Sequence, residues 1–115
     1  MSTTIYHNPA CGTSRNTLAA LREAGIEPTV VEYLKTPLDA AAIRQLLDKL
    51  GLKPRDILRR RGTHYDELGL DDPKWRDADL IGFMAAHPIL IERPIVVTPK
   101  GARLCRPTER VHEIL

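Results

Sequence analysis

A single α/β domain built on a mixed β-sheet is what this sequence predicts, and three observations point there. The first 34 residues read strand, helix, strand; residues 95–105 read as a hairpin with a helix behind it; and the stretch between them is mostly helical. The two ends would then share one sheet, with the helical stretch inserted between its halves.

Taken in order, Thr3-Thr4-Ile5-Tyr6 is rich in strand-forming residues. A helix starts near Thr13 and runs to Ala24, with Leu18 and Leu21 facing inward and Gly25 placed to end it. Residues 28–34, Pro-Thr-Val-Val-Glu-Tyr-Leu, are β-branched and apolar, a second strand. A strand–helix–strand run this short is a βαβ unit, whose two strands run parallel. Asp39 can cap a helix in which Ile43, Leu46, Leu47 and Leu50 follow i, i+3, i+4, i+7, with Gly51 just past its end. Residues 54–60 read as a short helix opening on Pro54. Asp77 or Asp79 starts another, with Leu80, Phe83 and Met84 on one face and Pro88 as its stop. Ile95-Val96-Val97 and Arg103-Leu104-Cys105 flank the turn Thr98-Pro99-Lys100-Gly101, a β-hairpin. A last helix starts at Pro107 and turns Val111, Ile114 and Leu115 to the core. A βαβ unit followed by ββα is the ordering of a thioredoxin-like sheet. It is expected here as one domain, residues 1–115, with a helical insertion over about residues 36–90.

The 115 residues are 43% hydrophobic, enough for one core without disulfide or metal staples. No run of about 18 apolar residues is present, so no membrane span is expected. The N-terminus lacks a basic segment followed by an apolar one, so no secretory signal is expected either. A net charge of +2 argues against general nucleic-acid binding. Two cysteines in a chain that is not exported are expected as reduced thiols in the cytosol. A monomer is the expected state. The charge is locally biased, with Arg55, Arg59, Arg60 and Arg61 in one segment and Arg93, Arg103, Arg106 and Arg110 near the end.

Chemistry concentrates in the turn Asn8-Pro9-Ala10-Cys11-Gly12-Thr13-Ser14. Between a strand and a helix start, Cys11 meets unpaired N–H groups and the positive end of the helix dipole. That environment favours thiolate over thiol. The amides of Gly12, Thr13 and Ser14 could hold an oxyanion beside the sulfur. A buried structural cysteine is the alternative, and the strand–turn–helix setting favours the reactive one. Ser14 stands where a dithiol C-x-x-C motif would carry its second cysteine, so no resolving thiol is adjacent. Thr17 stands where a C-x5-R phosphatase loop would carry arginine, which counts against a tyrosine phosphatase. His7 could favour the thiolate through its charge, or be a partly exposed imidazole with no role.

Planar, always-charged guanidinium groups suit tetrahedral oxyanions. Arg93 precedes Pro94, where thioredoxin-like folds carry a cis proline beside the reactive cysteine, and Arg106 also precedes a proline. Of Arg59, Arg60 and Arg61 only one is expected to face the cysteine, and Arg60 and Arg61 read better as exposed charges. Arg15 reads as a solvated helix-face residue. Cys105 could resolve a Cys11 adduct, but among Leu104 and Val97 on a strand it reads better as a packed apolar group.

Four segments resemble the glutaredoxin-dependent arsenate reductases: IYHNPACGTSRNTL at 5–18, ILR at 57–59, HPILIERPIVVTP at 87–99 and RLCRP at 103–107. The resemblance covers essentially the whole chain. It implies a thioredoxin-like fold with an inserted helical region and a nucleophilic Cys11 that attacks arsenate. It implies no bound cofactor, glutathione as co-substrate and glutaredoxin as the partner completing the two-electron reduction to arsenite. The family's three anion-holding arginines fall on Arg59, Arg93 and Arg106, and its thiolate-supporting histidine on His7. With two thiols supplied by partners, Ser14 needs no cysteine. A monothiol glutathione-linked oxidoreductase, or a redox-linked regulatory protein of the same fold, remains the alternative; neither requires three convergent guanidiniums.

Overall fold

A computed structural model describes residues 2–115. Pro37–Glu92 forms one compact unit, and the remainder of the described chain, up to Thr36 and again from Arg93 to Leu115, forms a second.

The second unit carries the sheet. Its elements are β1 (Thr4–His7), α1 (Gly12–Glu23), β2 (Thr29–Glu32), and later β3 and β4; a 3-10 helix at Thr108–Ile114 closes the chain. The sheet order is β2-β1-β3-β4, with β3 spanning Ile95–Thr98 and β4 Gly101–Leu104. β1 runs parallel to β2 and antiparallel to β3, which pairs antiparallel with β4. This is the thioredoxin-like arrangement that the βαβ and ββα patterns predict. Ile5, at the centre of β1, sits opposite Val30 on one side and Val96 on the other. Its side chain joins Leu21 of α1, Val96, Cys105, Val111 and Ile114 in a core with essentially no solvent exposure.

Several elements differ from the sequence reading, β4 among them, which begins at Gly101 within the expected turn and ends at Leu104. The strand expected to reach Leu34 ends at Glu32, because the N–H groups of Lys35 and Thr36 both fold back on the Glu32 carbonyl at 2.9 Å. The terminal helix is 3-10 rather than α, Arg110 N donating to Pro107 O at 3.1 Å. Its tighter wind still buries Val111 and Ile114, and Thr98 Oγ1 holds its end by donating to Ile114 O at 2.6 Å.

The other unit packs α2 (Ala40–Leu50) with α3 (Asp77–Ala86) and two 3-10 turns, Pro54–Ile57 and Pro88–Leu90. Asp39 caps α2 by accepting from Ala42 N at 2.8 Å, and Gly51 ends it with φ 67°, a left-handed value cheap only for glycine. The turn at Pro54 stops at Ile57, short of the expected residue 60. Leu58 instead bridges to Ile91, with Glu92 N donating to Ile57 O at 2.8 Å. On α3 the buried face is Leu80, Ile81 and Met84; Phe83 is half-buried and meets Trp75 edge-on, ring centres 5.0 Å apart. Among the described residues no helix is long and apolar enough to cross a membrane.

Candidate active site

β1 ends at His7 and α1 opens at Gly12, so the intervening turn must reverse the chain in four residues. It does so through Cys11 N donating to Asn8 O at 3.0 Å and Ala10 N donating to Asn8 Oδ1 at 3.0 Å. Asn8 is buried, as an anchor of such a turn must be. Cys11 becomes the N-cap of α1 in an extended conformation, its carbonyl accepting the first helical bond from Arg15 N at 3.0 Å. The sulfur is left partly exposed at the positive end of a 12-residue helix.

The electrostatics around Cys11 pull in two directions. Burial raises the thiol pKa, but the Ser14 backbone N–H and the guanidiniums of Arg93 and Arg106 outweigh it and bring the thiol down to about 7. Ser14 N–H faces the sulfur without closing a short capping bond. Arg106 Nη1 lies 3.7 Å from Sγ and also donates to Arg93 O at 3.0 Å. Both arginines precede cis prolines, Pro94 and Pro107. Pro94 is buried and its carbonyl accepts from Cys105 N at 2.9 Å, tying the two arginine-bearing segments together.

Arg93 carries the most telling feature. Its Nε and Nη1 are buried and have no hydrogen-bond partner. Buried donors are nearly always satisfied, so a guanidinium with two idle donor nitrogens beside a thiol is a candidate site for an anion.

The other site residues fall as follows. Gly12 and Thr13 open α1, with their N–H groups in the unpaired first turn. Ser14 is fully buried, and its hydroxyl lies 2.6 Å from His7 Nδ1 while accepting from Asn8 N at 3.1 Å. The sequence left His7 as a charged support for the thiolate or an imidazole with no role; burial lowers its pKa below the usual 6.5, which disfavours the charged form, and its Nδ1 lies against the Ser14 hydroxyl. Arg59 belongs to the helical unit, where its Nη1 pairs with Glu92 at 2.7 Å and its Nε donates to Arg61 O at 3.0 Å. Arg60 is spent on Asp66 and Asp71 and on the face of Tyr65, as an exposed loop charge. Arg15 donates to Pro9 O at 2.8 Å, exposed as expected.

Cys105 is fully buried in the core and its thiol is pushed by burial up to about 12. A thiol so reluctant to ionise is a poor attacking group. Cys105→Ala should leave turnover within about twofold of wild type and cost roughly 1 kcal/mol of stability in a urea melt. A large loss of turnover without unfolding would make it a relay thiol.

Sequence reading missed two hydroxyls. Thr17, fully buried on α1, and Thr108 after the second cis proline both reach the Thr13 carbonyl. Nothing in a one-dimensional pattern pairs residues so far apart.

Known proteins resemble this chain along almost its whole length. The model of the ArsC family matches residues 6–114. An arsenate reductase of Rhizobium meliloti is 58% identical over the whole of this chain and 82% of its own length. One from Escherichia coli K12 is 56% identical over 97% of this chain and 79% of its own. The solved structure of an arsenate reductase from Vibrio cholerae superposes with a TM-score of 0.96 at 47% identity, covering 100% of this chain and 98% of that one. With Cys11, Arg93 and Arg106 assembled at the head of α1, and likeness running through nearly every residue, the chain belongs to the ArsC family.

Proposed function

We propose that this protein is an arsenate reductase using Cys11 as its nucleophile. The observation that carries the reading is the pair of idle, buried donor nitrogens of Arg93, Nε and Nη1, beside a thiol whose pKa is brought down to about 7. Arsenate is tetrahedral and anionic, and a thiolate repels it unless cations offset the charge. Arg93, Arg106 and the amides of Gly12, Thr13 and Ser14 supply that offset and stabilise charge building on oxygen as sulfur attacks. Pro94 and His7 brace the two sides of this cradle. Arg59 is the third guanidinium the reading assigns to the anion.

The Cys11 thiolate forms a bond to arsenic(V), and one arsenate oxygen leaves as water after protonation. Glutathione adds its sulfur to the same arsenic, releasing a second water. A glutaredoxin thiolate then attacks the glutathione sulfur. The S–As bond breaks with its electron pair left on arsenic, which becomes arsenic(III), while a mixed disulfide carries the oxidation away. Water frees arsenite and returns the Cys11 thiol. No cofactor is held, and the protein works as a monomer in the reducing cytosol, where both free cysteines remain thiols.

The test is arsenate-dependent NADPH consumption coupled through glutathione reductase, glutathione and glutaredoxin. Steady turnover is expected; no arsenate-dependent signal from a folded protein with active glutaredoxin would end the reading. A second expectation concerns the cradle itself. Sulfate has the same shape and charge class, so high sulfate should slow iodoacetamide alkylation of Cys11 several-fold. An alkylation rate indifferent to sulfate would mean that no oxyanion site is preformed.

A further inference from the structure

The hydroxyls of Thr17 and Thr108 meet each other and the Thr13 carbonyl, in segments that flank Cys11 and Arg106 in sequence. Thr17 has no solvent exposure, so its hydroxyl must find partners inside. Its Oγ1 donates to Thr13 O at 2.9 Å and lies 3.2 Å from Thr108 Oγ1. Thr108 Oγ1 reaches the same Thr13 carbonyl at 3.3 Å. Each hydroxyl has one proton, and a carbonyl has two lone pairs, so the three groups satisfy one another. The triangle joins segments 91 positions apart in sequence. Thr13 lies two residues after Cys11, and Thr108 two residues after Arg106. Packing alone would be served by valine, which has the same shape. Thr17 satisfies its proton on the Thr13 carbonyl within its own helix; the Thr108 hydroxyl adds the contact that ties the chain carrying Arg106 to the first turn of α1.

We propose that Thr17 and Thr108 are positioning residues that set the approach of the Arg106 guanidinium to the Cys11 sulfur. The 3.7 Å separation of Arg106 Nη1 and Sγ lies at the outer limit of a hydrogen bond to sulfur. A small slip of the 3-10 segment would break it. The inference rests on Cys11 and Arg106 being the reactive pair, but its readout needs no arsenate.

The experiment follows Cys11 alkylation against pH in Thr17→Val, Thr108→Val and Thr108→Ser, each rate scaled to its own high-pH plateau. The valine variants are expected to move the midpoint up by about one pH unit, lowering the scaled rate at pH 7 about fivefold. Thr108→Ser keeps the hydroxyl and should restore the wild-type midpoint. In an Arg106→Ala background Thr108→Val should add nothing, since the residue it positions is gone. An unmoved midpoint in folded Thr108→Val overturns the proposal, as does a further rise in the Arg106→Ala background. Thr108 is only half-buried, so this variant decides the matter even if Thr17→Val fails to fold. Where arsenate turnover is measured, KM should rise more than kcat falls. If wild type itself reduces no arsenate while the alkylation pattern holds, the functional reading fails and the clamp stands.

Discussion

Cys11→Ser is expected to drop arsenate turnover by at least about 10³-fold, to the floor of the coupled assay, with the circular dichroism spectrum and melting midpoint unchanged. The loss follows from ionisation. With its pKa near 7, about half of Cys11 is thiolate at pH 7, against roughly 3% for an unperturbed thiol. A serine hydroxyl in the same place stays protonated, because no nearby base can take its proton: His7 is buried against Ser14 instead. The fold tolerates the change because the sulfur is partly exposed and Cys11 is not a member of the buried core cluster. The pH profile carries the sign. The thiolate is the attacking form, so alkylation of wild-type Cys11 should rise with pH through a midpoint near 7 and level off above about pH 8. A midpoint near the ordinary value would mean that Arg93, Arg106 and the Ser14 amide do not act on the sulfur. Turnover surviving in Cys11→Ser would remove the nucleophile from the mechanism.

Much of the candidate site is legible in the sequence, for definite physical reasons. Ile5 in a short β-prone run, a helix period after Thr13 and a glycine at position 25 are local signals, and local signals fix β1 and α1. The turn between them then has only one place to put Cys11. Arg93 and Arg106 stand out because of the residues around them, Pro94, Pro107 and the hairpin, rather than as arginines alone. Where the reading failed, long-range geometry decided. Leu34 looks like strand, but Tyr33 is drawn into the interior while the chain turns back on Glu32, leaving Leu34 at 39% exposure. Phe83 fits the helical stripe of Leu80 and Met84, yet Trp75 offers it an edge-on partner. Whether His7 carries charge, which the sequence left open, depends on its burial, and burial is a property of the packed sheet. The Thr17–Thr108 contact has no local signature at all.

Arg93 offers the second large effect, and it separates function from architecture. Replacing it with methionine keeps an unbranched chain of similar reach while removing the charge and the donors. Loss of one preorganised donor to a developing oxyanion typically costs about 10²–10³ in kcat. A comparable fall in kcat/KM for arsenate is expected for Arg93→Met. Sulfate should no longer protect Cys11, and the alkylation midpoint should rise because one guanidinium favouring the thiolate is gone. Stability should move the other way. Burying donors without partners costs about 1–3 kcal/mol, and Arg93 Nε and Nη1 are such donors. The methionine variant should therefore melt at or above the wild-type temperature, a trade of stability against activity that marks a binding residue. The Arg93 carbonyl that receives Arg106 Nη1 is backbone and survives the substitution, so Arg106 stays anchored. Arg93→Lys should recover stability no better than methionine and little activity, because a single ammonium cannot replace a planar fork. The combination of lost turnover with a lowered melting temperature would instead make Arg93 a structural cation, and the anion cradle would have to be sought without it.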